Sequence, residues 1–204
     1  MRKSEDIDMT YKIIGDSCLD LTREMRKDPR FQTIPLTLQV GDTQVVDDET
    51  FDQKKFIELV KACPECPKTA CPSPEMFKEA YEAADAEAIF VITLSSHLSG
   101  SYNSAAVAKK MYEEEMEESG RKGQRKKIAL IDSLSASSGE LNLALLIQSL
   151  CASGLDFEEV EKGLWSIGIR CALILSWKAW TLCARMDVFP VFRHFLQQLL
   201  TSSQ

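Results

Sequence analysis

The stretch AIFVITLSSHLSGSYNSA, from Ala88 to Ala105, decides the fold. It opens with an apolar run from Ile89 to Leu94, which is typical of a strand buried on both faces. A polar loop from Ser95 to Gly100 follows, and helical periodicity begins at Ser101. A strand that passes through hydroxyls into a helix N-terminus offers an anion side-chain donors and free backbone amides. Alternatively the serines only cap the helix, which is their commoner use at such a position.

Two other apolar segments end in the same way. Tyr11 to Gly15 runs into Asp16-Ser17, and Lys127 to Ile131 runs into Asp132-Ser133. Helical patterns separate these strands, and such alternation predicts crossover connections and a mainly parallel sheet. We therefore predict an α/β fold with a mainly parallel sheet flanked by helices. The ligand crevice of such a sheet lies outside the carboxyl ends of its strands, so we expect these polar residues to gather at one edge.

The composition excludes several classes of protein. The chain has 204 residues and is 45% hydrophobic, which is enough for a core and argues against global disorder. Its net charge of −7 argues against a nucleic-acid-binding surface. The basic run from Arg121 to Lys127 directly follows an acidic run, and the pair indicates a solvated helix end and loop. Arg170 and Lys178 make a membrane span between Leu164 and Ala184 unfavourable, so we expect none.

The cysteines indicate a reducing compartment. Seven cysteines and an N-terminus, MRKSEDID, without the apolar core of a signal peptide predict a cytoplasmic protein with free thiols. Cys63, Cys66 and Cys71 form C-x2-C-x4-C, a spacing that invites a zinc site. No histidine lies nearby and no second C-x2-C follows, so a four-ligand site is incomplete. The alternative is a proline-rich loop with incidental cysteines, and we expect no bound metal.

His97 directly follows Ser96, which raises the alternative of a serine hydrolase. The chain has no G-x-S-x-G elbow, and adjacent residues rarely place a hydroxyl and an imidazole for proton transfer. The other interpretation is an exposed loop histidine. We therefore expect no catalytic residue and no cofactor.

Five segments together resemble the DegV family of fatty-acid-binding proteins. SSHLSGSYNSA is similar to the family's S-S-x-L-S-G-T-Y-x-S-A signature. The other four segments resemble further family motifs, and all five stand in the family's order along the chain. They are IIGDSCLDL (Ile13 to Leu21), IPLTLQVGDTQVVDDE (Ile34 to Glu49), TACPSPEMF (Thr69 to Phe77) and IDSLSASSGE (Ile131 to Glu140). The resemblance implies a Rossmann-like N-terminal domain in a protein that binds a fatty acid and catalyses nothing itself.

The resemblance also implies the ligand and its contacts. In relatives the acyl chain lies in a tunnel between two domains, and its carboxylate meets hydroxyls of these loops. Carried over by position, Thr69 and Ser96 are the head-group contacts, with Ser95 beside them. The family's T-S-x-P becomes Thr69-Ala70-Cys71-Pro72 here, so Ala70 removes one hydroxyl. The expected partners are a long-chain fatty acid and a separate fatty-acid kinase.

The composition changes after Leu164. All three tryptophans lie between Trp165 and Gln204, where the only acid is Asp187. The resemblance ends at Leu173, and codons for the rest, read one base out of register, can spell a family-like sequence. We predict a DegV-like N-terminal α/β domain over residues 1–173 and an out-of-frame tail over residues 174–204, with the second α/β domain missing. Lipid binding would then be impaired, and the alternative is a non-functional truncated product.

Overall fold

The computed structural model describes residues 9–164. The domain boundary predicted at residue 173 and the tail predicted over residues 174–204 lie outside these residues. The elements, in chain order, are β1 (Tyr11–Asp16), β2 (Phe31–Ile34), β3 (Thr37–Val40), β4 (Thr43–Val46), α1 (Gln53–Ala62), β5 (Lys68–Ala70), α2 (Pro74–Ala83), β6 (Ala88–Thr93), α3 (Ser101–Glu118), β7 (Lys127–Asp132), α4 (Ser138–Ala152) and α5 (Phe157–Gly163). Two short 3₁₀ turns cover Met25–Lys27 and Lys122–Gln124.

The main sheet has four parallel strands in the order β2-β1-β6-β7. Ile13 of β1 pairs with Phe90 of β6, which pairs in turn with Ala129 of β7. All six residues of β6 are buried, as expected for a central strand covered on both faces. Thr93 at the end of β6 pairs with Asp132 at the end of β7. The predicted α/β fold with a mainly parallel sheet is therefore confirmed, and its carboxyl edge carries the predicted polar residues.

Alternate residues of β6 pack into two separate layers. Phe90 and Ile92 belong to one hydrophobic cluster, and the helical residues in that cluster are Leu143, Ala144, Ile147, Phe157, Val160 and Leu164. Ile89 and Val91 belong to a second cluster, to which α2 and α3 contribute Phe77, Ala80, Tyr81, Ala105, Ala108, Tyr112 and Met116. This division follows from the two-residue period of a strand. Helices therefore cover both faces of the sheet, and the loops that follow its strands lie at its carboxyl edge.

A second sheet of three antiparallel strands, in the order β4-β3-β5, was not predicted as a separate sheet. Gly41, with a φ of +56°, makes the turn between β3 and β4. The proline-rich segment that we expected to be a loop contains β5, which pairs with β3. Residues Lys68 to Ala70 lie between Pro67 and Pro72 and keep their amide donors, so a short edge strand can form there.

No helix within residues 9–164 is long and apolar enough to cross a membrane. The segment from Leu164 to Ala184, for which the sequence predicts no span, lies almost wholly outside these residues.

Candidate functional site

The loop after β6 is tied to both neighbouring strands. The amide of Leu94 donates to Asp16 Oδ2 of β1 at 2.9 Å, and the amide of Ser95 donates to the carbonyl of Ser135, beyond β7, at 2.9 Å. Ser95 is buried, and its hydroxyl accepts the amide of His97 at 3.3 Å. The loop therefore has a defined shape, which Ser95 maintains from inside.

Ser96 is exposed and faces the carboxylate of Asp132. The amide of Ser96 donates to Asp132 Oδ1 at 3.1 Å, and its hydroxyl donates to Asp132 Oδ2 in a short hydrogen bond. Asp132 Oδ1 also accepts the amide of Leu134 at 3.0 Å. The structure thus joins the ends of β6 and β7 through a pair that sequence reasoning placed at one edge but did not connect.

Serines lie on both sides of the N-cap residue of α3. Its N-cap residue is Gly100, which has no side chain to accept a hydrogen bond. The hydroxyl of Ser99 accepts the amide of Ser101 at 3.2 Å and lies 3.0 Å from the hydroxyl of Ser101. Ser99, next to the N-cap, therefore satisfies one backbone amide at the N-terminus of α3, as the capping alternative requires. The N-cap position itself has no side-chain cap.

Thr69 lies on the exposed edge strand β5, opposite Leu38 of β3. Cys71, two residues later, has its Sγ 3.8 Å from the hydroxyl of Ser104 in α3. A Cβ on Gly100 would lie 3.0 Å from the same sulfur, so this loop and the start of α3 approach closely. No hydrogen bond joins Thr69 to Ser95 or Ser96 within residues 9–164. The structure therefore brings the segment after Thr69 against the site but does not link the three predicted side chains directly.

Two buried carboxyl groups and one half-buried thiol, those of Asp16, Glu140 and Cys18, form a cluster that was not predicted from the sequence. One potential ligand atom of each residue lies within 4.8 Å of the others. Asp16 and Glu140 are both fully buried. Asp16 accepts the amides of Leu94 and Cys18, whereas neither carboxylate oxygen of Glu140 has a hydrogen-bond partner among the described residues. The cluster therefore holds one stabilised carboxyl group and one unpartnered carboxyl group.

Burial shifts the pKa values of this cluster. Loss of solvation raises the pKa of Glu140 to about 9; the charge of Asp16 adds to the rise, and the backbone amide of Ser137 opposes it. Burial also raises the pKa of Asp16. Hydrogen bonds from the amide of Leu94 and the hydroxyl of Ser101 favour its ionised form and oppose this rise. We infer that Glu140 is protonated at neutral pH. An acid in the first turn of a helix is usually solvated, so nothing in the sequence indicated this burial.

The loop before α4 explains how Glu140 reaches the cluster. Leu134 and Ser137 both have positive φ values, 48° and 50°. Gly139 packs so closely on Ser135 that a Cβ there would lie 2.0 Å from the serine hydroxyl. Only glycine allows this approach, which turns the start of α4 under the end of β6.

The two alternative chemistries receive no geometric support in residues 9–164. The cluster of potential metal ligands there consists of Asp16, Cys18 and Glu140, and it does not include Cys63, Cys66 or Cys71. The hydroxyl of Ser96 is bonded to Asp132, and His97 contributes its backbone amide to the loop. The pairing of Ser96 with His97 that a hydrolase would need is therefore not formed among the described hydrogen bonds.

Comparisons with known proteins agree with the motifs. A family model described as "Uncharacterised protein, DegV family" matches residues 10–176. A DegV domain-containing protein of Streptococcus gordonii is 39% identical over 169 residues, which are 81% of this chain and 57% of the relative.

Solved structures are similar as well. A DegV family protein from Ruminococcus gnavus, refined with vaccenic acid, has 43% identity and a TM-score of 0.71 over 77% of this chain and 54% of its own. The Fatty Acid Kinase (Fak) B3 protein of Streptococcus pneumoniae, loaded with linoleic acid, has 39% identity and a TM-score of 0.67 over 78% of this chain and 54% of its own. The chain spans about half the length of these relatives. Its motifs, its parallel sheet and these matches show that the chain belongs to the DegV family.

Proposed function

We propose that this chain supplies the head-group side of a fatty-acid-binding site and that the ligand is presented to a separate fatty-acid kinase. The observation that carries the proposal is the hydroxyl-rich loop from Ser95 to Ser101 at the carboxyl edge of the parallel sheet, where ligands of α/β folds bind. The R. gnavus and S. pneumoniae relatives with bound vaccenic and linoleic acid support the ligand class. The name of the S. pneumoniae protein supports the kinase partner.

The proposed contacts are Thr69, Ser95 and Ser96. A hydroxyl can hydrogen-bond a carboxylate, or the acyl phosphate that a kinase would form from it, without the reactivity of an activated nucleophile. Ser96 is exposed at the sheet edge and is the direct contact. Ser95 shapes the loop from inside, and exposed Thr69 approaches from β5. We therefore propose a binding protein and assign no catalytic residue.

Exposed apolar side chains flank this edge. Leu98 in the site loop is 42% exposed, and Met76 in the first turn of α2 is 37% exposed. An acyl chain, or a second domain that closes over it, would cover such side chains. We propose that such a cover is needed to retain a long acyl chain, whereas the head group is bound by the domain described here.

The tail is a separate proposal. The family match ends at residue 176, close to Leu173, where the motif resemblance also ends. We propose that residues 174–204 are translated out of frame. Resequencing the locus tests this directly. An intact frame that is not followed by family-like sequence would refute it.

We also propose a cytoplasmic location. The five cysteines within residues 9–164, namely Cys18, Cys63, Cys66, Cys71 and Cys151, are all free thiols. Unpaired cysteines are usual in a reducing compartment and unusual in secreted proteins.

Replacing Ser96 by Ala tests the binding proposal. Hexanoate is a suitable probe because its short chain does not require a complete tunnel. We expect the Ser96→Ala variant to bind hexanoate roughly 5- to 30-fold more weakly, since it loses one hydrogen bond to the head group worth about 1–2 kcal/mol. Titration followed by amide NMR shifts measures this change.

Two matched variants control for the substitution. Ser149→Ala removes an exposed hydroxyl far along α4 and should leave the affinity unchanged. His97→Ala should also leave it unchanged. Unchanged binding in the Ser96→Ala variant would contradict the proposal. Turnover of 4-nitrophenyl hexanoate that is lost in the His97→Ala variant would instead establish the hydrolase alternative.

A further inference from the structure

The hydroxyl of Ser96 has only one proton, and in this structure it donates that proton to Asp132. An ionised carboxylate offers acceptors and no donor. Ser96 as positioned here can therefore present only its lone pairs to a ligand. A head group that meets Ser96 without displacing Asp132 must bring its own hydrogen-bond donor.

Asp132 is held independently of the Ser96 hydroxyl. Its Oδ1 accepts the amides of Ser96 and Leu134, so the carboxylate is anchored by two backbone groups before it binds the hydroxyl. Rotating Asp132 away to release the hydroxyl would leave both amides without this partner. The direction of the Ser96 hydroxyl is therefore a built feature of the loop.

The charges around Ser96 also favour a head group that is protonated. The titratable groups on the neighbouring elements are Asp16 at the end of β1, Cys18 just after it, Asp47 after β4, Asp132 at the end of β7, Glu140 on α4 and His97 in the loop itself. Within residues 9–164, no Lys or Arg forms an ion pair with Asp16, Asp132 or Glu140. A second carboxylate against Ser96 would face Asp132 across one hydroxyl, and two such like charges favour uptake of a proton.

We propose that Asp132 is a positioning residue that makes Ser96 a hydrogen-bond acceptor, so that a fatty-acid head group binds at this domain together with one proton. This inference rests on the proposed function. The proton comes from solvent and converts the ligand carboxylate into a carboxylic acid. The acid O–H then donates to Ser96 Oγ, whose own O–H continues to donate to Asp132 Oδ2. No covalent bond other than this O–H bond is made.

The first test is the pH dependence of hexanoate affinity in the 204-residue chain. Uptake of one proton on binding predicts that the affinity falls about tenfold for each unit between pH 6 and 8. Hexan-1-ol carries its own O–H donor and should bind with an affinity that does not change over this range. Equal pH dependence for the acid and the alcohol, or none for the acid, would overturn the inference.

The second test is Asp132→Asn. The two side chains have the same shape, but one carboxylate oxygen, an acceptor, is replaced by an amide nitrogen, which is a donor. Its carbonyl oxygen can keep the amides of Ser96 and Leu134, while its amide donates to Ser96 Oγ and frees the serine proton for the ligand. We expect this variant to bind hexanoate about tenfold more tightly than the parent at pH 8, with little pH dependence, and to bind hexan-1-ol more weakly. If Asp132 has only a structural role, the Asp132→Asn variant will bind both hexanoate and hexan-1-ol more weakly, and this result would contradict the proposal.

Asp85→Asn is the charge-matched control. Asp85 is exposed in the turn before β6, at the opposite end of that strand, and its replacement should preserve the parental pH dependence. His97→Ala should preserve it too. If Asp132→Asn does not fold, the comparison of hexanoate with hexan-1-ol still decides the question. Absence of any shift at Ser96 with either ligand would instead overturn the proposed function and, with it, this inference.

Discussion

Replacing Glu140 by Gln should stabilise the fold at pH 8 by about 2–3 kcal/mol and change its stability little at pH 5. Burial raises the pKa of Glu140 from 4.5 to about 9 in the folded chain. Between these values the folded state binds more protons than the unfolded state, so the parent loses stability as the pH rises. Gln is neutral at every pH and does not carry this penalty.

The expected gain is smaller than the full linkage value. A shift that is fully expressed would contribute about 1.4 kcal/mol per pH unit, but relaxation of the buried site reduces it. Urea unfolding at pH 5, 6.5 and 8 measures the effect. Glu118→Gln, an exposed replacement near the end of α3, should show no change at any of these values. Loss of stability in the Glu140→Gln variant at all three would show that a donor or cation binds the carboxylate.

Replacing Phe90 by Ala should lower the free energy of unfolding by about 3–5 kcal/mol. Phe90 is fully buried in the central strand, and its ring stacks on Phe157 of α5 with the centroids 5.3 Å apart. Its removal leaves a cavity between the sheet and two helices, because neighbouring side chains relax only in part. This loss is a large fraction of the free energy of unfolding of a typical domain, which is about 5–15 kcal/mol.

The matched control is Val107→Ala, which shortens a side chain on α3 that is 41% exposed. This variant should change the free energy of unfolding by less than about 0.5 kcal/mol. Denaturant unfolding monitored by far-UV circular dichroism measures both variants. A loss below about 1 kcal/mol for Phe90→Ala would contradict the packing described for this core.

At the carboxyl edge of the sheet, carboxylates of the chain occupy hydrogen-bond donors that a bound anion could otherwise use. Asp16 and Asp132 take amides from the β6 loop, and Asp47 accepts the hydroxyl of Ser17 at 2.7 Å. Donors that the sequence suggested for an anion are therefore already used by carboxylates of the chain. Under the proposed function, an acid head group binds at this edge together with a proton.

Patterns within one segment predicted most of the fold. The unbroken apolar run of β6 indicated a strand buried on both faces, and strand–helix alternation indicated the parallel sheet; the structure has both. The motifs that resemble the family indicated its membership, which the comparisons show. These features are local or repeat along the chain, so they are visible in a single sequence.

Three features depend on distant residues and could not be predicted. The bond from Ser96 to Asp132 joins residues 36 positions apart. The buried carboxyl group of Glu140 lies within 4.8 Å of that of Asp16, which belongs to the first strand of the chain. Strand β5 has only three residues, too few to show a periodicity, and it forms because β3 offers an edge.

The most direct test of the binding site is to map bound hexanoate on the isotopically labelled 204-residue chain by NMR at pH 6. We expect the largest chemical-shift changes, and intermolecular NOEs to the ligand, at Ser95, Ser96 and Thr69 and in the first turn of α3. Changes confined to the opposite edge of the sheet, around Asp85 and Lys127, would contradict the assignment of this loop as the head-group site.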